Sequence, residues 1–243
     1  MTTTHLRFAM TGAVLVAGLA GCATSRSAGA PPAGPAFVMG KEGAIARARA
    51  DSLRYPYTKA DIDFMSGMIH HHAQAIVISR WAPSHGASAS LQRLTSRIIN
   101  AQSDEIHLMQ TWLEDRNQPA PQVDSTGAVS MGGHAGHAMA GHDMSAMSGM
   151  DMGGMTMPGM LTDAQLKELD AARGTEFDRL FLTFMIRHHR GAVTMVKSLF
   201  EAPGAGQDET VFKFANDVEV DQSTEIKRMF TMMLEMGFVP PAN

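Results

Sequence analysis

The sequence predicts an all-α protein: an up-down four-helix bundle made of two duplicated helical hairpins, joined by a long crossover without fixed structure. Two long segments with apolar residues at helical spacing carry the same pattern. The first reads Met68-Ile69-His70-His71-His72-Ala73-Gln74-Ala75 and the second Met185-Ile186-Arg187-His188-His189-Arg190-Gly191-Ala192. His71 and His188 stand 117 residues apart, as do Phe64 and Phe181. A further pair, Gln102-x-x-Glu105-Ile106-x-x-Met109 and Gln222-x-x-Glu225-Ile226-x-x-Met229, repeats at an offset of 120. No segment sustains period-two alternation, so essentially no sheet is expected.

Residues 1–21 read as an export signal. Arg7 precedes an apolar run over residues 8–20 that is too short to span a bilayer as a helix. The run closes on Leu19-Ala20-Gly21-Cys22, which resembles a bacterial lipobox with Cys22 as the lipidated first residue. Residues 22–40 are a Ser, Ala, Gly and Pro tether with no capacity to form a core. The first half of the bundle spans residues 41–117. It opens with a short helix over about 41–53, followed by a long helix capped by Thr58 and running through Trp81. The stripe of that long helix is Ile62, Met65, Ile69, His72 and Ile76, flanked by Phe64, Met68, His71, Ala75 and Ile78. A third helix, about 90–115, presents Leu91, Leu94, Ile98, Glu105, Met109 and Trp112, and Asn117 and Pro119 stop it.

Residues 118–160 form a linker rich in Met, His and Gly, with no usable apolar period. The second half, residues 161–239, repeats the plan of the first. Thr162-x-x-Gln165 signals a capping box for a short helix that Gly174 ends. Thr175 is expected to cap the next long helix, striped by Phe177, Leu180, Phe184, His188, Met195 and Leu199. Asp208 opens the last helix, which presents Val211, Phe214, Val218, Gln222, Glu225, Met229 and Met236.

Composition narrows the function. The 243 residues are 44% hydrophobic and carry a net charge of −4, which gives no electrostatic case for nucleic acid. Cys22 is the only cysteine. With a lipid on it, the mature chain holds no thiol, and any soft metal ligand must be methionine. Methionine is abundant, with 21 copies.

His71, His188, Glu105 and Glu225 all fall at mid-helix, so at ~1.5 Å rise per residue they should lie near one level. Together with His72 and His189 they are expected to form one polar layer, supported by Gln102 and Gln222. Groups buried there unpaired would cost several kcal/mol each, on the order of a lost solvation shell. The layer therefore either satisfies itself, each Glu accepting from a His N–H, or holds a metal ion. Adjacent helical residues point about 100° apart, so both members of one pair do not easily share an ion. One member can ligate while the other bonds to Glu105 or Glu225; alternatively, one histidine from each half can meet its counterpart across the pseudo-twofold axis.

The linker holds His134, His137 and His142 and nine methionines, at 131, 139, 144, 147, 150, 152, 155, 157 and 160. A flexible thioether gains nothing in a solvated loop and risks oxidation there. Thioethers with interspersed imidazoles do suit copper, sulfur for Cu(I) and imidazole for Cu(II). Met144, Met147, Met150, Met152 and Met155 with the three histidines are the candidate ligands here.

Residues 61–76 and 177–196, with Gly159-Met160-Leu161-Thr162 before the second, resemble the family known as domain of unknown function 305. The shared marks are the Met-Ile-x-His-His core, Gly191-Ala192, and the Gln-x-x-Glu-Ile-x-x-Met elements. That family is similar to ferritin-like helical bundles and includes exported copper-binding proteins of the CopM type. The resemblance implies copper handling in the periplasm, with Met68, His71, His72, Met185, His188 and His189 as candidate ligands. Departures are His70, which makes a triple histidine, and Arg187 and Arg190, whose charges disfavour a cation near the second pair.

The expectation is a non-enzymatic copper-binding lipoprotein of the cell envelope, anchored through Cys22, that buffers or sequesters the metal. A ferritin-like di-metal oxidase is the competing reading, although the chain has no Glu-x-x-His. A metal-free interaction protein, its polar layer fixing helix register, is the third. Nothing supports hydrolysis: there is no nucleophile elbow and no phosphate-cradling loop.

Overall fold

In the computed structural model, the described residues are 39–54, 56–131 and 157–242. They form six helices, α1 (Gly40–Arg54), α2 (Lys59–Arg80), α3 (Ala89–Asp115), α4 (Asp163–Ala171), α5 (Gly174–Glu201) and α6 (Glu209–Glu235), with one small hairpin between α3 and α4. None of these helices is long and apolar enough to cross a membrane.

Local signals set the helix starts. Thr58 caps α2 in a capping box, and the Asp61 carboxylate accepts the Thr58 N–H at 2.6 Å. The same carboxylate accepts the Gly206 N–H at 2.7 Å, so one buried side chain ties the start of α2 to the loop before α6. Thr162 and Gln165 form the capping box of α4. Asp208 caps α6 and also accepts from Trp112 Nε1 (3.0 Å) and Arg116 Nη2 (2.6 Å), which pins the end of α3. The cap expected at Thr175 is a correction. α5 starts two residues earlier than that cap implies, at Gly174, with Arg173 at the capping position and no side-chain cap. The Gly174 N–H is instead taken by the His85 carbonyl at 2.8 Å.

The crossover also departs from expectation. Residues 118–131 take defined positions, and β1 (Pro121–Val123) pairs antiparallel with β2 (Val129–Met131). Asp124 Oδ1 closes the turn by accepting the Thr126 and Ala128 N–H groups. Three-residue strands are too short to show an alternation, so the pattern of the sequence concealed them. Residues 132–156, with His134, His137, His142, Met139, Met144, Met147, Met150, Met152 and Met155, lie outside the described residues.

The apolar core falls into two clusters. One joins the C-terminal half of α2 (Ala75, Ile78) and N-terminal half of α3 (Leu91, Leu94, Ile98) with Phe177 to Ile186 of α5 and Met229 and Met233 of α6. The other joins Phe64 to Ile76 of α2, Ile106 to Leu113 of α3, Ala192 to Leu199 of α5 and Val211 to Val218 of α6. α2 and α6 thus run one way and α3 and α5 the other. The order is up-down-down-up, so the crossover from α3 to α5 must travel the length of the bundle. The histidine pairs and Gln102, Glu105, Gln222 and Glu225 belong to neither cluster; they lie between the two.

Candidate metal centre

Four imidazoles from α2 and α5 fill the gap between the two apolar halves. His71, His188 and His189 are fully buried and His72 is 1% exposed. His71 and His188 meet across the pseudo-twofold axis, with ring centroids 3.8 Å apart and planes tilted by 38°. His72 and His189 turn the other way, toward α3 and α6. His72 Nε2 lies 2.6 Å from Glu105 Oε2, and His189 Nε2 lies 2.7 Å from Glu225 Oε2. One histidine of each pair thus meets its counterpart across the axis while the other bonds to a glutamate.

The partners fix the tautomers. A carboxylate and a peptide carbonyl only accept hydrogen bonds, so the nitrogen facing each carries the proton. His72 and His189 donate from Nε2 to their glutamates, and His71 donates from Nε2 to the Pro158 carbonyl at 3.0 Å. In the neutral ring Nδ1 then holds a lone pair, and the Nδ1 atoms of His71, His72 and His189 are buried without a hydrogen-bond partner. Neither ring nitrogen of His188 makes a hydrogen bond of good geometry, and the His71 carbonyl gives it only weak compensation. Four buried imidazoles thus offer ring nitrogens without hydrogen-bond partners between the two apolar halves. Among the described residues, no three carboxylate, imidazole or thiolate groups converge as a ready-made metal cage.

The interior keeps two of these rings neutral. Burial, then the neighbouring His72, pushes His71 down to about 3 despite the Pro158 bond, which acts the other way. Burial, then His71, holds His188 well below the usual histidine range. The unfolded chain takes up protons near pH 6.5 and the folded chain does not. The associated stability is therefore complete above pH 6.5 and is lost as pH falls toward 3. Lowering the pH from 7 to 5 is expected to cost the metal-free protein about 2 kcal/mol through His71 alone. Urea unfolding at the two pH values checks this, and equal midpoints would contradict it.

Met68 and Met185 stand one turn before the histidine pairs. Both are fully buried, Met68 in one apolar half and Met185 in the other. At i, i+3 and i, i+4 spacing each thioether shares a helix face with its own histidines. Arg187 is exposed with its guanidinium 5.9 Å from the Phe184 ring centroid, while Arg190 donates to the Ala242 carbonyl at 2.7 Å and lies over the Phe230 ring. The extra His70 is buried, and burial lowers its pKa.

Sequence reasoning missed a strap over the layer. Residues 157–161 lie against both α2 and α5 directly over the His71–His188 pair. Pro158 caps His71, and Gln74 holds Leu161 by two bonds, Nε2 to the Leu161 carbonyl (3.0 Å) and Leu161 N–H to Oε1 (2.8 Å). Gly191 lets the strap approach: a Cβ there would overlap the Pro158 carbonyl and stand 2.8 Å from Gly159 Cα. The available signal was a lone glycine inside a helical pattern, which often marks close backbone approach. On the opposite side Gln102, Glu105, Gln222 and Glu225 line a cleft of about 380 Å³ between α3 and α6, with Asp221, Arg97 and Arg228 at its edge.

A duplicated up-down-down-up helical bundle with a central imidazole layer defines the class of the protein. The family model described as Domain of unknown function (DUF305) matches residues 61–233, and the chain belongs to that family. It is similar to the crystal structure of a DUF305 protein from Streptomyces coelicolor, at 27% identity over 76% of this chain and 98% of that one, TM-score 0.57. It is also similar to CopM in the Cu(II)-bound form, at 28% identity over 72% of this chain and 96% of that one, TM-score 0.51. A protein of Acanthamoeba polyphaga mimivirus is 36% identical over 62 residues, 24% of this chain, and the match spans 41% of that protein's length.

Proposed function

We propose that this protein binds copper in the cell envelope and buffers or sequesters it without performing catalysis. The observation that carries the reading is the set of bare Nδ1 atoms. His71, His72 and His189 each donate the opposite N–H to a carbonyl or a carboxylate, which is how ligating histidines are commonly oriented. Met68 and Met185 supply thioethers on the same helix faces, a donor set suited to Cu(I). A buried layer also favours the monovalent ion, because a second charge raises the desolvation cost steeply. The similarity to CopM, which crystallised with Cu(II), supports copper as the metal.

His134, His137, His142, Met144, Met147, Met150, Met152 and Met155 add a second, outer set of soft and borderline ligands in the crossover. Glu105 and Glu225, with Gln102 and Gln222 beside them, orient the inner set. The lipobox-like Leu19-Ala20-Gly21-Cys22 supports export and a lipid anchor at Cys22, with the bundle held at a membrane surface. The oxidase reading is the weaker one, because Glu105 and Glu225 each engage a separate imidazole in place of a shared centre.

The test is an anaerobic Cu(I) competition titration of the mature chain beside a version lacking residues 132–156. The reading expects fewer bound ions in the shortened version but retention of at least one tight site. A shortened protein with no tight copper would remove the bundle from the function.

A further inference from the structure

The duplication is broken beside the histidine layer. On α2, one turn before His71, stands Gly67; its repeat partner at the 117-residue offset is Phe184. On α5, one turn beyond Gly191, stands Met195, whose repeat partner is Ile78. Phe184 and Ile78 are buried members of one apolar half, as core positions usually are. Of their counterparts, Gly67 has no side chain and Met195 is only half-buried, packed at the margin of the other apolar half. A Cβ built on Gly67 would have the Met157 sulfur and the Met195 methyl each at 3.5 Å, so those two groups lie no more than twice that distance apart.

Two thioethers from different parts of the chain therefore converge on a glycine at the edge of the layer. Both side chains are only half-buried, and this distinguishes them from the fully buried Met65 and Met68 nearby. Met157 belongs to the strap, and the next residue caps His71. Gly67 is costly in a helix interior, by about 1 kcal/mol relative to Ala. Its place here leaves the two sulfurs room that a Phe, as in the other half, would fill.

We propose that Met157 and Met195 form a separate thioether site for a soft monovalent cation, Cu(I) or Ag(I), at the end of the strap beside the histidine layer. The inference rests on the copper reading and deepens it, by giving the ion a sulfur ligand pair between solvent and the imidazoles. Its position asks nothing of residues 132–156. Sulfur donors alone select the monovalent soft ion, and two half-buried side chains leave the ion a route for exchange.

The probe is Ag(I), titrated anaerobically into the full mature chain carrying 13C-labelled methionine methyls and 15N-labelled histidines. Met157→Leu and Met195→Leu assign the two methyl signals, and Met65→Leu serves as a control. Leucine matches methionine closely in volume, so unchanged circular dichroism and melting are expected for these variants. The proposal expects the Met157 and Met195 methyl signals to shift together, and the double variant to bind one Ag(I) fewer than the control. If the histidine nitrogens respond while both methyl signals stay fixed, the thioether site falls and the histidine site stands. If neither set responds, both fall.

Discussion

His188→Leu is expected to make the metal-free protein more stable and to weaken its tight Cu(I) site on the order of 100-fold, or ~2.7 kcal/mol. His188 is fully buried, and neither of its nitrogens has a good hydrogen bond. A buried polar group without partners costs about 1–3 kcal/mol, and leucine of similar volume removes that cost. The gain in metal-free stability should therefore be about 1 kcal/mol or more. The same change deletes the imidazole whose centroid lies 3.8 Å from that of His71, at the proposed ion site. Thermal unfolding without metal and chelator competition with Cu(I) give the two readings. A variant that loses stability and keeps its copper affinity would mean that His188 serves packing alone.

Gly191→Ala is expected to lose about 3 kcal/mol, at the upper end of the usual cost of overpacking. Most buried glycines tolerate a methyl when a flexible side chain faces them. Here the obstacles are main-chain atoms, the Pro158 carbonyl and Gly159 Cα. Gly159 is already packed tightly on α5, at φ +80 with its would-be Cβ position 2.6 Å from the Arg187 carbonyl and 2.9 Å from that of His188, so it has no room to slide along the helix. The strap has to lift, and lifting breaks the Pro158–His71 bond and both Gln74–Leu161 bonds. Hydrogen exchange should show the Leu161 amide losing protection well before the amides of α5. Retained protection at Leu161 with an unchanged melting midpoint would show that the strap accommodates the methyl.

The helices and their polar layer were legible in the sequence because both depend on local chemistry. Thr58, Thr162 and Asp208 announce their helices by capping, and the stripes through Ile69, Ile98, Phe177 and Val218 announce the buried faces. The mid-helix positions of His71, His188, Glu105 and Glu225 sufficed to bring them to one level. The direction in which each ring points was not legible, since it depends on partners as remote as Pro158, which lies 87 residues from His71. The strap was hidden for the same reason: Gln74 and Leu161 carry no mutual pattern. Thr175 misled because a good capping residue stood one position past a junction that the His85 carbonyl had already closed.

The most direct test of the central claim is copper K-edge X-ray absorption on the Cu(I)-loaded protein lacking residues 132–156. The account predicts a low-coordinate site with imidazole nitrogen ligands, whose multiple-scattering features disappear in His71→Ala/His188→Ala. A copper site made of sulfur alone, or one unchanged in that double variant, would contradict it.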